Sequence, residues 1–302
     1  MAVPALLAVG VLALIVVVTI TLVVALRLTL ADRRGDAPAS TNPEYRMLSR
    51  WRWAGILAGV AVAVVTISVG ALGRGPLLAS VAFGLCVLGG VLVGELRVRP
   101  AHDALRAATL ERRSIRSYLP PVLGIVVALS TVVLVGVMIA TTAAGSPDDL
   151  HRAGRTLRYA PDPAREISAG PWPGSYYTVP AMIALVLAAI ATAVVLRQVT
   201  LRPRAGDPVG DDALRRRSAE AVTAAWGVAT SIPLAGISII AVLTLSNLAT
   251  TPASWRVAGG GLFLVGLGAM ILVLWCLATL VVPRGRRVPA ATQVPTDVPA
   301  AL

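Results

Sequence analysis

Apolar positions in this chain come in long blocks almost free of charge, and the charged positions fill the gaps between the blocks. A helix needs roughly 20 apolar residues, at about 1.5 Å each, to cross about 30 Å of hydrocarbon. Seven segments reach or approach that length: 4–26, 53–72, 76–96, 121–143, 179–197, 220–247 and 257–282. The pattern predicts an all-α fold, a polytopic transmembrane helix bundle of about seven spans. Lipid hydrates neither a charge nor an unpaired backbone group, so interrupted blocks of this kind are what a bilayer selects. The second and third blocks are separated by Gly73-Arg74-Gly75-Pro76, a turn sequence, and are read as a helical hairpin. Residues 1–283 form one transmembrane bundle on this reading, and 284–302, rich in Pro, Ala and Thr, form a disordered cytoplasmic tail.

Composition agrees. The chain is 56% hydrophobic and 14% charged, with a mean hydropathy of +0.79. Its net charge is +12, and all 27 basic residues are Arg. These Arg residues flank apolar blocks, so the charge predicts no specific nucleic-acid partner. The complete lack of Lys suggests Arg-rich codon usage and a high-GC bacterium. The block from Val3 to Leu26 has no basic leader and exceeds a signal-peptide core, so it is read as a retained span.

Orientation follows from the Arg bias of the loops. Loops 27–52, 97–120 and 197–219 together with the tail carry 21 Arg, against 6 on the opposite side. The first set is therefore assigned to the cytoplasm, with the N-terminus outside and the C-terminus inside, in the plasma membrane. Trp51, Trp53, Tyr118, Trp172, Tyr176, Tyr177 and Trp255 sit at block edges, where amphipathic rings favour the headgroup level.

Two cytoplasmic loops share a pattern. Arg99-Pro100, Asp103-Ala104-Leu105-Arg106 and Arg113-Ser114 parallel Arg202-Pro203, Asp212-Ala213-Leu214-Arg215 and Arg217-Ser218. Each Asp is placed to cap a short helix. Either the loops descend from a duplicated hairpin, or abundant Ala, Leu and Arg coincide. Small residues recur every four positions at Gly55 and Gly59, at Gly90 and Gly94, and at Gly227, Ser231 and Ala235. Such spacing lets helices approach closely.

The candidate chemistry is sparse. No charge lies near the middle of a block. Glu95 and Glu220 sit at block ends and are expected to pair locally, Glu95 with Arg97 and Glu220 with Arg215 to Arg217. Without Lys there is no retinal Schiff base, and His102 and His151 both lie in loops. No catalytic residue, metal ligand or cofactor is nominated. In the sixth block, Pro233 removes a helical hydrogen bond. Thr230, Ser231, Pro233 and Gly236 are a candidate hinge or substrate groove, with a static packing kink as the alternative. Arg112, Arg113, Arg116, Arg215, Arg216 and Arg217 are candidate contacts for a cytoplasmic or membrane protein partner, or for anionic lipids. The external segment 144–178 carries Asp148, Asp149, His151 and Arg152, expected on an N-capped surface helix.

Three functions compete. The first is a non-catalytic, permease-like or transport-associated component. The second is a membrane scaffold or regulatory protein without substrate. The third is a membrane enzyme acting on a lipid-linked substrate at the outer surface through the Asp148–His151 cluster.

Overall fold

The computed structural model describes residues 43–69, 73–98, 115–162, 165–203, 208–248 and 252–281. The expected first span 4–26, the tail 284–302, and Arg112 and Arg113 lie outside the described residues. Among the described residues, six long helices carry the fold: α1 (Pro43–Val69), α2 (Arg74–Leu96), α3 (Pro121–Ala144), α4 (Ser175–Leu201), α5 (Pro208–Ser246) and α6 (Ala253–Val281). Each is long and apolar enough to cross a membrane. The fold is thus an all-α membrane bundle, with one small strand pair added.

Successive helices run in alternating directions, so the starts of α1, α3 and α5 share one end with the finishes of α2, α4 and α6. This Arg-rich end is opposite the end that holds the strands. The hub is α5, which packs against α2, α3, α4 and α6, while α2 also packs against α1 and α4. Val222, Ala224, Ala225, Val228 and Ile237 of α5 are essentially buried, as are Val87 and Leu88 of α2. Large apolar side chains on α1, α3, α4 and α6 instead point outward, Leu57, Val132, Ile183 and Val257 among them. That inversion suits helices whose outer faces meet lipid.

The α1–α2 pair closes on the expected small-residue seam. A Cβ on Gly55 would lie 2.8 Å from the Cys86 carbonyl oxygen, and one on Gly90 would lie 2.5 Å from that of Trp51. Only glycine permits such backbone approach. At the connection, Gly73 takes the left-handed conformation (φ 83°), and α2 starts one residue later.

Two expectations need correction. Asp212 does not cap a helix, because α5 starts at Pro208 and Asp212 is already inside it. Residues 148–151 form a turn and no helix. Asp148 does accept the Leu150 and Arg152 N–H groups at 3.1 and 2.8 Å, as a capping residue would. His151 (φ 58°) and Gly154 (φ 68°) then turn the chain into an antiparallel pair, β1 (Leu157–Asp162) and β2 (Arg165–Ala169). Leu157 faces in with Trp172, Ala241 and Leu248, so the strand pair rests on the ends of α5 and α6.

Candidate functional site

The Arg-rich end contains charges that are entirely buried. Glu95 closes the last turn of α2, Arg202 follows α4, and Asp211, Arg215 and Ser218 lie on one side of α5 at the i, i+4 and i+7 positions. The side chains of Glu95, Arg202, Asp211 and Arg215 are 0–2% exposed.

Arg215 has a plain physical role. The last carbonyls of a helix lack intrahelical donors and carry the negative end of its dipole. Arg215 fills this need for α4: Nη1 donates to the carbonyls of Val199 (2.6 Å) and Thr200 (3.0 Å), and Nη2 to that of Arg202 (2.8 Å). Its Nε donates to Asp211 Oδ2 at 2.7 Å. The other Asp211 oxygen accepts from Arg202 Nη2 at 3.0 Å. Arg202 Nη1 then lies 3.1 Å from Glu95 Oε2, an ion contact whose angle falls short of a hydrogen bond. The Ser218 hydroxyl donates to Glu95 Oε1. The four charges sum to zero and join the ends of α2, α4 and α5.

The expected pairing of Glu95 with Arg97 is therefore wrong. Arg97 stacks over the Trp51 ring at 4.0 Å, and Glu95 reaches across to Arg202. Arg215 is also removed from the surface contacts, since its guanidinium is fully enclosed. Arg116 and Arg216 are exposed, and Arg217 is half-buried over Tyr45 at 4.8 Å. Asp212 accepts a bond from the Tyr118 hydroxyl at 3.2 Å, which ties the start of α3 to α5.

Around Pro233 the helix is unbroken. Thr230 and Ser231 are completely buried. Thr230 Oγ1 donates back to the Trp226 carbonyl at 3.1 Å, and the Ser231 hydroxyl meets that of Ser130 at 3.4 Å. A Cβ on Gly236 would make ordinary contact with Leu77. These four residues sit together inside packed helices, with their polar groups turned toward the protein.

At the opposite end, Asp148 is occupied by arginines: Arg152 Nε lies 2.8 Å and Arg155 Nη1 3.1 Å from Oδ2. Desolvation pushes its carboxyl up, but the Arg152 hydrogen bonds and charge and the Leu150 N–H outweigh this and hold it below the ordinary carboxylate range. Among the described residues, no group of three or more His, Cys, Asp or Glu is placed to hold a metal ion. Cys86 and Cys276 are free thiols.

The Asp211-to-Arg215 spacing was the available sequence signal for the network. The class defined by this architecture is a multi-pass α-helical membrane protein. No protein-family model matches the chain, nor does any curated protein or solved structure.

Proposed function

We propose that the chain is a non-catalytic, permease-like or transport-associated component of the plasma membrane. On this reading there are seven spans, the first at 4–26, with the N-terminus outside, the Arg-rich end in the cytoplasm, and a high-GC bacterial origin. The observation that carries it is the Glu95–Arg202–Asp211–Arg215 network. Burying four charges is costly, and apolar packing of the same volume is often as stable or more so. A network kept at helix ends in spite of that cost suits a closure that fixes one arrangement of α2, α4 and α5 and can release it. Pro233 in the hub helix supplies a point where bending costs least.

The scaffold reading has its own support in the packed surroundings of Thr230 and Ser231. Tagged protein purified from its native membrane in mild detergent, with mass spectrometry of what accompanies it, separates the two. A stoichiometric ATPase or other transport subunit is the expected result. Recovery of the chain alone, combined with no solute flux in vesicles containing it, would discard the transport reading in favour of the scaffold.

A further inference from the structure

Beside the ion network, residues of α1, α2 and α5 line a small cleft. Its polar lining is Tyr45, Ser49, Arg52, Arg217 and Ser218, and Leu48 and Val91 are part of its apolar wall. The room inside is ≈ 30 Å³, enough for a water or two, or for an oxygen of a larger group seated at the mouth. Two guanidinium groups share this cleft and no acidic residue lines it. Behind it, Ser218 donates to Glu95, which Arg202 neutralises.

One donor here is unspent. Arg52 Nε is buried and has no hydrogen-bond partner. A buried donor left without an acceptor is a cost that an acceptor oxygen would remove. The Arg217 guanidinium lies 4.8 Å from the centroid of the Tyr45 ring. Two guanidinium groups with two hydroxyls beside them match the anionic oxygens of a phosphate. The surroundings supply the rest of the ligand. From Ser49, the same side of α1 continues through Trp53 and Val60, which are 40% and 51% exposed. Trp53 marks the headgroup level, and Val60 begins an apolar outer face.

We infer that this cleft binds the phosphate of an anionic phospholipid, whose acyl chains lie along the outer face of α1. Basic clefts between helices at a membrane surface suit that chemistry. The site is independent of whether the chain transports a solute or organises a partner.

The test uses delipidated full-length protein in neutral detergent, with binding of dioleoyl-phosphatidylglycerol, dioleoyl-phosphatidylcholine and inorganic phosphate followed by native mass spectrometry. The wild type should take up one phosphatidylglycerol in preference to phosphatidylcholine, and equimolar inorganic phosphate should not displace it. The Arg52→Gln/Arg217→Gln double variant should bind phosphatidylglycerol about tenfold more weakly or worse, whereas Arg216→Gln, an exposed neighbour, should change it less than about twofold. Should the double variant fail to fold, Arg217→Gln alone should still weaken binding several-fold, and Arg217→Lys should restore part of it. Equal uptake of the two lipids, or wild-type affinity in the Arg217→Gln variant, overturns the site. Displacement by equimolar inorganic phosphate overturns the lipid as its ligand.

Discussion

Arg202 and Glu95, from the ends of two different helices, meet at 3.1 Å with neither side chain exposed to solvent. Removing one partner of a buried pair strands the other charge, which typically destabilises by about 3–5 kcal/mol. Arg202→Ala should therefore lower thermal stability markedly, because it leaves both Glu95 and part of Asp211 without their cation. Glu95→Gln should cost less, since a neutral amide needs less compensation and can still accept from Ser218. Thermal unfolding of both variants in the same detergent checks this order. Equal midpoints for wild type and Arg202→Ala would show that the contact contributes nothing net.

The α1–α2 seam makes a second, independent prediction. A Cβ on Gly90 would come within 2.8 Å of the Gly55 Cα. The atom it would meet is backbone, so the partner helix cannot yield by rotating a side chain. Gly90→Val should force the helices apart at a cost of about 1–3 kcal/mol or more. Gly89→Val should be tolerated, because a Cβ there meets nothing within 4 Å. Comparing the thermal midpoints of this adjacent pair isolates packing from helix propensity.

The seam was legible in the sequence, and the ion network was not. Gly55 and Gly90 stand in small-residue repeats, and the helices that carry them are neighbours in the chain, joined by a turn whose Gly73 announces it. Six of the expected spans were legible for the same reason, since the bilayer imposes a length and an apolarity that need no knowledge of tertiary contacts. Glu95 offered only local partners to sequence reasoning, and Arg97 was the nearest cation. Its actual partners reach it because α4 finishes and α5 starts beside the end of α2, a packing fact that no local pattern encodes. The strand pair was missed differently. Leu157 and Tyr159 alternate with polar residues, as do Ile167 and Ala169, but the runs are short, and Pro161 and Pro163 disguise the hairpin as loop.

Asp148 gives a pH dependence with a definite sign. Its carboxyl is held below the ordinary range in the folded chain, with the Arg152 contacts and the Leu150 N–H outweighing desolvation. The stabilisation it contributes is therefore present above the ordinary carboxylate pKa of about 4 and is lost as pH falls through the depressed folded value. The 146–157 turn should exchange its amide hydrogens faster at pH 3 than expected from the intrinsic pH dependence of exchange, relative to pH 7. Asp148→Asn should show weaker protection at both values and little further loss on acidification. Retained acid sensitivity in that variant would assign the transition to another group.

Pro180 lies inside α4 and has no N–H, so the Tyr176 carbonyl four residues earlier loses its helical donor. Arg74 Nε, from the start of α2, donates to that same carbonyl at 3.0 Å, and its guanidinium lies 3.5 Å from the centroid of the Tyr176 ring. One side chain thus replaces a backbone bond and fastens the α1–α2 turn to α4. Arg74→Ala should destabilise by about 1–3 kcal/mol, chiefly by leaving that carbonyl unsatisfied. In a Pro180→Ala background the helix regains its own donor, and the same substitution should cost less, by about 1 kcal/mol of coupling. A double-mutant cycle on thermal or denaturant unfolding measures that difference. Additive effects would mean that Arg74 acts through the ring contact alone, with the carbonyl satisfied by other means.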